Sequence, residues 1–274
     1  MSTAALFSRL VDDAAVFPPG DLPLDEAVPE HRRHREASYA DLVGTFVCTD
    51  EHLPAVAKLA GHEPLAVSVV VTGGAGAIES AVGYGRRADA IDVRAIEVRL
   101  RDEDDLSRNA RRVATMCASC VDDEEVFVEV GLDGGWERAL DVVAESGYAA
   151  KLRTGGLSAD LFPTSHRVAT FIAACLDREV EFKCTAGLHN AVRHTGDDGF
   201  EHQGFLNVLV ATRASLDGAS VDDVAAVLEN RSGADLASTA SGLDAGVRRW
   251  FRSFGSCSIE EPLQDLTKLG LVSA

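Results

Sequence analysis

Four short apolar runs carry charged residues at alternate positions: Ala95-Ile96-Glu97-Val98-Arg99-Leu100, Val126-Phe127-Val128-Glu129-Val130, Ala149-Ala150-Lys151-Leu152-Arg153 and Phe182-Lys183-Cys184-Thr185. Side chains alternate between the two faces of a strand. Glu97 with Arg99, Glu129, Lys151 with Arg153, and Lys183 with Thr185 are therefore expected on one shared face. Burying charge is costly unless it is paired. The set reads either as a site or as internal salt bridges, Glu97 to Arg99 and Glu129 to Lys151. The chain has four lysines against twenty-two arginines, and two of the four fall here. Neighbouring cations and a partly dry surrounding lower a lysine's pKa, giving the neutral amine that attacks a carbonyl. Lys151 and Lys183 are thus candidate catalytic residues, with Glu129 moving protons. If both stay charged they bind an anion instead, with Glu97, Arg99, Arg153 and Thr185 beside them. The Gly155-Gly156 turn would add backbone N–H groups.

The segment Lys183-Cys184-Thr185-Ala186-Gly187 resembles the lysine strand of class I aldolases of the deoxyribose-phosphate aldolase type, Lys-Thr-Ser-Thr-Gly, with Lys183 and Gly187 identical. The resemblance implies a Schiff-base role for Lys183, because that family carries its Schiff-base lysine on the sixth barrel strand. Its second lysine lies on the following strand, whereas the Lys151 run precedes the Lys183 run. After Lys183 come His189, a candidate acid/base or substrate contact, Arg193 as an anion contact, and Asn207 as a polar substrate contact. His189, His194 and His202 with Asp197, Asp198 and Glu201 offer donors for a divalent metal, although their spacing fits no compact motif. The single close cysteine pair, Cys117 and Cys120, falls late in a helical stretch and reads as structural. Cys257 is an unpromising nucleophile because no histidine is assignable to it from sequence.

The elements that must position these groups alternate. Apolar runs at 43–48, 65–71, 95–100, 126–130, 148–153 and 180–185 are separated by helical stretches, the signature of βαβ units and a parallel sheet. Residues 249–258 read as a closing strand and 262–269 as a last helix. Residues 205–216 suit a strand or a helix, and eight strands are reached only if 205–210 is one. The fold expected is a (β/α)8 TIM-barrel-like domain over residues 1–274, with residues 1–40 an N-terminal helical extension. An open doubly wound sheet is the alternative, disfavoured by the lack of a GxGxxG after a first strand. Asp12 and Asp13, before Phe17-Pro18-Pro19, are expected in a prefix that plugs the barrel's bottom rather than a lid over its mouth.

The net charge of −18 argues against nucleic acid or an anionic membrane as partner. No apolar run approaches the roughly 18 residues of a membrane span, and Met1–Leu10 lacks the marks of a secretory leader. A cytoplasmic protein is expected; its acid-rich, lysine-poor composition fits the high-salt cytoplasm of a halophile, the favoured reading, or a GC-rich genome in which Arg codons displace Lys. Its partner is expected to be a small anionic substrate, and a homo-oligomer is left open. The leading function is a lyase or aldolase acting on a phosphorylated or carboxylated carbonyl compound through a lysine imine, with no cofactor. A lyase or isomerase holding Mg²⁺ or another divalent metal on Glu97 and Glu129 is the second reading. A non-catalytic ligand-binding barrel is the third.

Overall fold

The computed structural model describes residues 3–101 and 104–273. Met1 and Ser2, part of the stretch read above for a leader, lie outside the described residues. Eight parallel strands close into a barrel in the order β1-β2-β3-β4-β5-β6-β7-β10. They are β1 (Val11–Asp13), β2 (Val43–Thr49), β3 (Leu65–Val71), β4 (Ile91–Arg99), β5 (Glu125–Glu129), β6 (Ala149–Arg153), β7 (Phe182–Thr185) and β10 (Phe251–Ser256). The remaining two, β8 (His194–Thr195) and β9 (Glu201–His202), form a small antiparallel pair in the loop after β7. The architecture is a (β/α)8 barrel.

Helices follow the strands with legible starts. Asp105, Thr164, Ser220 and Ser232 cap α5 (Leu106–Cys120), α7 (Ser165–Asp177), α9 (Val221–Glu229) and α10 (Gly233–Ser241), each side chain accepting from the backbone N–H three residues on. Between strand and helix layers lies a continuous apolar core, and Phe182 shows how it fixes the site. Its ring stacks on Phe251 at 5.4 Å and meets the edge of Phe171 at 5.5 Å, locking β7, β10 and α7 together one residue before Lys183. Removing such a buried ring costs about 3–5 kcal/mol.

Two expectations are corrected. Residues Phe205–Leu216 form a helix, α8, not a strand. Residues 205–212 are all buried, so the segment is apolar on every side and shows neither period. The missing strand comes from the prefix. Val11-Asp12-Asp13 pairs with β2 on one side and β10 on the other, so the first forty residues supply β1 and are not only a helical extension. The recount makes the strand of Lys151 the sixth of the barrel and that of Lys183 the seventh.

Candidate active site

Register brings the charged residues side by side. Arg99 pairs with Glu129, Glu129 with Lys151, and Lys151 with Lys183 across four adjacent strands, with Arg153 opposite Thr185 one step higher. Glu97, Glu129, Lys151 and Lys183 are each at most 4% exposed. Their contacts form one chain of alternating sign. Lys183 Nζ donates to Asp12 Oδ2 at 2.6 Å and to Glu97 Oε1 at 2.8 Å. Lys151 Nζ lies 2.7 Å from Glu97 Oε2 and 3.2 Å from Glu129 Oε2. Glu129 Oε1 accepts from Arg153 Nε at 3.2 Å, and Arg99 approaches it at 3.8 Å. The Glu129–Lys151 pair expected from sequence is present. The Glu97–Arg99 pair is not: Arg99 stands at the rim and turns to Glu129, leaving Glu97 to the two lysines.

Asp12 is the member that the sequence reading misplaced. Its Oδ1 accepts from the backbone N–H and hydroxyl of Thr45, and its Oδ2 from Ser253 and Lys183, so it sits inside the barrel as the end of the charge chain. A Cβ on Gly44 would lie 2.2 Å from Asp12 Oδ1, so the neighbouring strand needs glycine there. Asp13 holds His31 Nδ1 at 2.9 Å and the backbone of Ala15, which starts the loop carrying Phe17-Pro18-Pro19 to the mouth. That loop lines the mouth and does not plug the bottom.

Electrostatics follow from these pairs. Burial alone would neutralise the carboxyls, but the lysine charges win and hold Glu97 and Glu129 below the ordinary carboxylate range. Burial likewise opposes the charge on Lys183, but Asp12 and Glu97 outweigh it and raise its pKa well above that of a free lysine. The expected lowering by a neighbouring cation is therefore overturned for Lys183, because Glu97 stands between the two ammonium groups. Lys183 is a firmly held ammonium, 5.1 Å over the Phe127 ring.

Above this layer, at the carboxyl ends of the strands, a cavity of about 660 Å³ is lined by Glu97, Lys151, Lys183, Arg99, Arg153 and Thr185, among others. A second cavity, of about 480 Å³, opens at the opposite end and reaches Asp12 and the other side of Lys183. Lys151 lines only the upper one. The turn after β7 closes the upper floor: Ala186 and Gly187 have positive φ (61° and 74°), and a Cβ on Gly155 would lie 2.8 Å from the Gly187 Cα. Gly155 therefore acts through close packing, whereas Gly156 lines the cavity.

His189 lines the same cavity, its Nδ1 3.1 Å from Glu261 Oε2 and 3.6 Å from Cys257 Sγ. Burial lowers the His189 pKa and pushes the Cys257 thiol up to about 11, so this is a neutral imidazole beside a neutral thiol. Tertiary structure thus supplies the histidine that sequence could not assign to Cys257. Two other expected contacts lie elsewhere. Arg193 is buried on Glu201 at 3.2 Å and Glu229 at 3.3 Å. Asn207 donates to the carbonyls of Val227 and Asn230 and accepts from the Arg193 N–H, so its amide is spent on loop structure.

The metal reading finds poor support in the donor chemistry. Both Glu97 oxygens already face ammonium groups, and Ser68 donates to Oε1 at 2.6 Å. His202 is taken by Asp198 and His194 stacks on its ring, and no group of three or more His, Cys, Asp or Glu among the described residues is placed to hold an ion.

Fold and site together define a (β/α)8 barrel with a buried, charge-balanced lysine–carboxylate layer under an open cavity. No family model matches the chain, and no curated protein sequence matches it. A solved structure described as "QR15, an Aldolase" is similar to it, with a TM-score of 0.53 and 12% identity over 98% of this chain and 99% of that one. At this identity the likeness shows the fold. No helix among the described residues is long and apolar enough to cross a membrane.

Proposed function

We propose that the protein is an aldolase-type lyase that forms an imine between a lysine and a small anionic carbonyl substrate in the upper cavity. The observation that carries this reading is the pair of lysines joined by Glu97, 2.7 and 2.8 Å from their Nζ atoms, under the open carboxyl end of the barrel. Active sites of this fold lie at that end. The barrel shared with an aldolase supports the reading at the level of architecture.

With Val11–Asp13 as the first strand, Lys151 and Lys183 stand on the sixth and seventh. In the resembled family the Schiff-base lysine is on the sixth strand and the second lysine on the next, which here are Lys151 and Lys183. The placement supports the same division, since Lys151 lines only the upper cavity, whereas Lys183 lies between the two cavities against Asp12 and Glu97. Lys151 Nζ, which faces the open cavity, gives a proton to water there and adds to the substrate carbonyl carbon. The carbinolamine then loses water to leave the imine. The protonated imine takes up the electron pair of the Cα–Cβ bond as the β-hydroxyl gives up its proton, so an aldehyde leaves and an enamine remains. Protonation at Cα and hydrolysis by water release the second carbonyl product and free Lys151. Lys183, an ammonium that also lines the cavity, gives a proton to the departing carbinolamine hydroxyl, and Glu97 holds the two amines in place. Arg99 and Arg153 hold the substrate's anionic group. The net charge of −18 disfavours nucleic acid, so a small molecule remains the proposed partner.

Borohydride reduction after incubation with small aldehydes, 2-oxo acids and sugar phosphates, followed by mass mapping, tests this. The expected result is a mass adduct on Lys151 that is absent from denatured protein and from Lys151→Met, and present but slower-forming in Lys183→Met. Reduction without an adduct on either lysine across substrates shown to bind refutes imine chemistry.

A further inference from the structure

The upper cavity has two unlike halves. Its cations come from β4, β6 and β7: Arg99, Lys151 and Arg153 gather around Glu129, and Lys183 stands at the floor, spent on Asp12 and Glu97. Across the mouth, β2 and β3 present Val47 and Val70, and the loop after β1 brings Phe17, Pro18 and Pro19. The loops after β6 and β7 add Leu157, Leu161, Phe162 and Phe200, with the two phenylalanine rings 4.8 Å apart. Leu157 is 80% exposed, a large apolar side chain left open to water at the rim. Apolar surface kept uncovered beside a cavity marks a place where a ligand covers it.

The side on which barrel enzymes commonly hold phosphate is unsuited to it. That site uses the loops after the seventh and eighth strands and the N-terminus of a following helix. Here the loop after β10 leads into α11 (Glu260–Lys268), whose first turn is Glu260-Glu261, and Glu261 is engaged with His189. On the β7 side the cavity meets His189, already against Glu261, and Asp198, whose carboxylate lies 2.9 Å from His202 Nε2. A dianion there would face carboxylates, while the arginine fork at Arg99 and Arg153 suits a single planar carboxylate.

Resting on the imine reading above, we infer that the substrate is a carboxylated carbonyl compound with an aryl-sized or branched apolar body, not a sugar phosphate. The carboxylate lies on Arg99 and Arg153, the carbonyl carbon over Lys151, and the apolar body against Phe17, Leu157, Phe162 and Phe200.

Isothermal titration with three probes, phenylpyruvate, pyruvate and ribose 5-phosphate, tests this on the wild-type protein. Burial of a phenyl ring predicts a phenylpyruvate Kd about tenfold or more below that of pyruvate. Leu157→Ser, a change at an exposed position, should shrink that ratio by about threefold or more. Pyruvate or ribose 5-phosphate binding as tightly as phenylpyruvate overturns the inference, as does failure of all three to bind. Borohydride scores the chemistry separately. Phenylpyruvate bound tightly without a lysine adduct keeps the substrate class and overturns the imine reading. An adduct with ribose 5-phosphate beside weak phenylpyruvate binding does the reverse.

Discussion

Glu97→Gln removes one negative charge from between two ammonium groups while keeping the side chain's shape. In the wild type its oxygens lie 2.8 Å from Lys183 Nζ, 2.7 Å from Lys151 Nζ and 2.6 Å from the Ser68 hydroxyl. The amide keeps one acceptor and aims N–H groups at a cation. Removing one partner of a buried pair costs about 3–5 kcal/mol, and both lysines lose the same partner here. At about 2–3 °C per kcal/mol for a chain of this size, the melting temperature should fall by about 6–15 °C. Urea denaturation in 1 M salt at pH 7 measures the loss, because buried charges are screened far less than exposed ones. The dependence on pH is a second readout. Glu97 and Glu129 have folded-state pKa values below their unfolded values. Their stabilisation is therefore complete above the ordinary carboxylate value of about 4.3 and drains away as pH falls toward the folded values. Glu97→Gln should flatten that acid limb. A loss under about 1 kcal/mol at pH 7, or an acid limb as steep as the wild type's, would refute an ionised, bridging Glu97.

Because the folded pKa of Lys183 is raised, its ammonium persists above the free-lysine value of about 10.4. The imine-forming rate should show no loss from Lys183 deprotonation up to pH 10, whereas Asp12→Asn should bring such a loss into the measured range of a pH–rate profile. Gly44→Ala drives a methyl group to within 2.2 Å of Asp12 Oδ1 and should cost about 1–3 kcal/mol by denaturant melt. Gly76→Ala, with no atom within 4 Å of its Cβ, should stay within about 0.5 kcal/mol. Asn207→Ala strips partners from Val227 O, Asn230 O and Arg193 N, and should lower stability by about 2–4 kcal/mol while leaving the phenylpyruvate Kd unchanged.

Alternation alone placed Glu97, Glu129, Lys151 and Lys183 on one face, because a period of two is a local property of any strand. The parallel barrel was legible for the same reason, from apolar runs such as Leu65–Val71 spaced by capped helices. What sequence could not supply depended on contacts between distant residues. Asp12 and Asp13 read as part of a prefix at the barrel's bottom, whereas Val11-Asp12-Asp13 is a buried strand in which Thr45, Ser253, Lys183 and His31 meet the carboxylates. That strand alters the strand count, and with it the places of Lys151 and Lys183. Residues 205–216 have lost their periodic signal because neighbours cover them on all sides. The sign of the Lys183 pKa shift was likewise out of local reach. Two adjacent lysines suggest mutual lowering, but Glu97, 86 residues away along the chain, sits between them and reverses it.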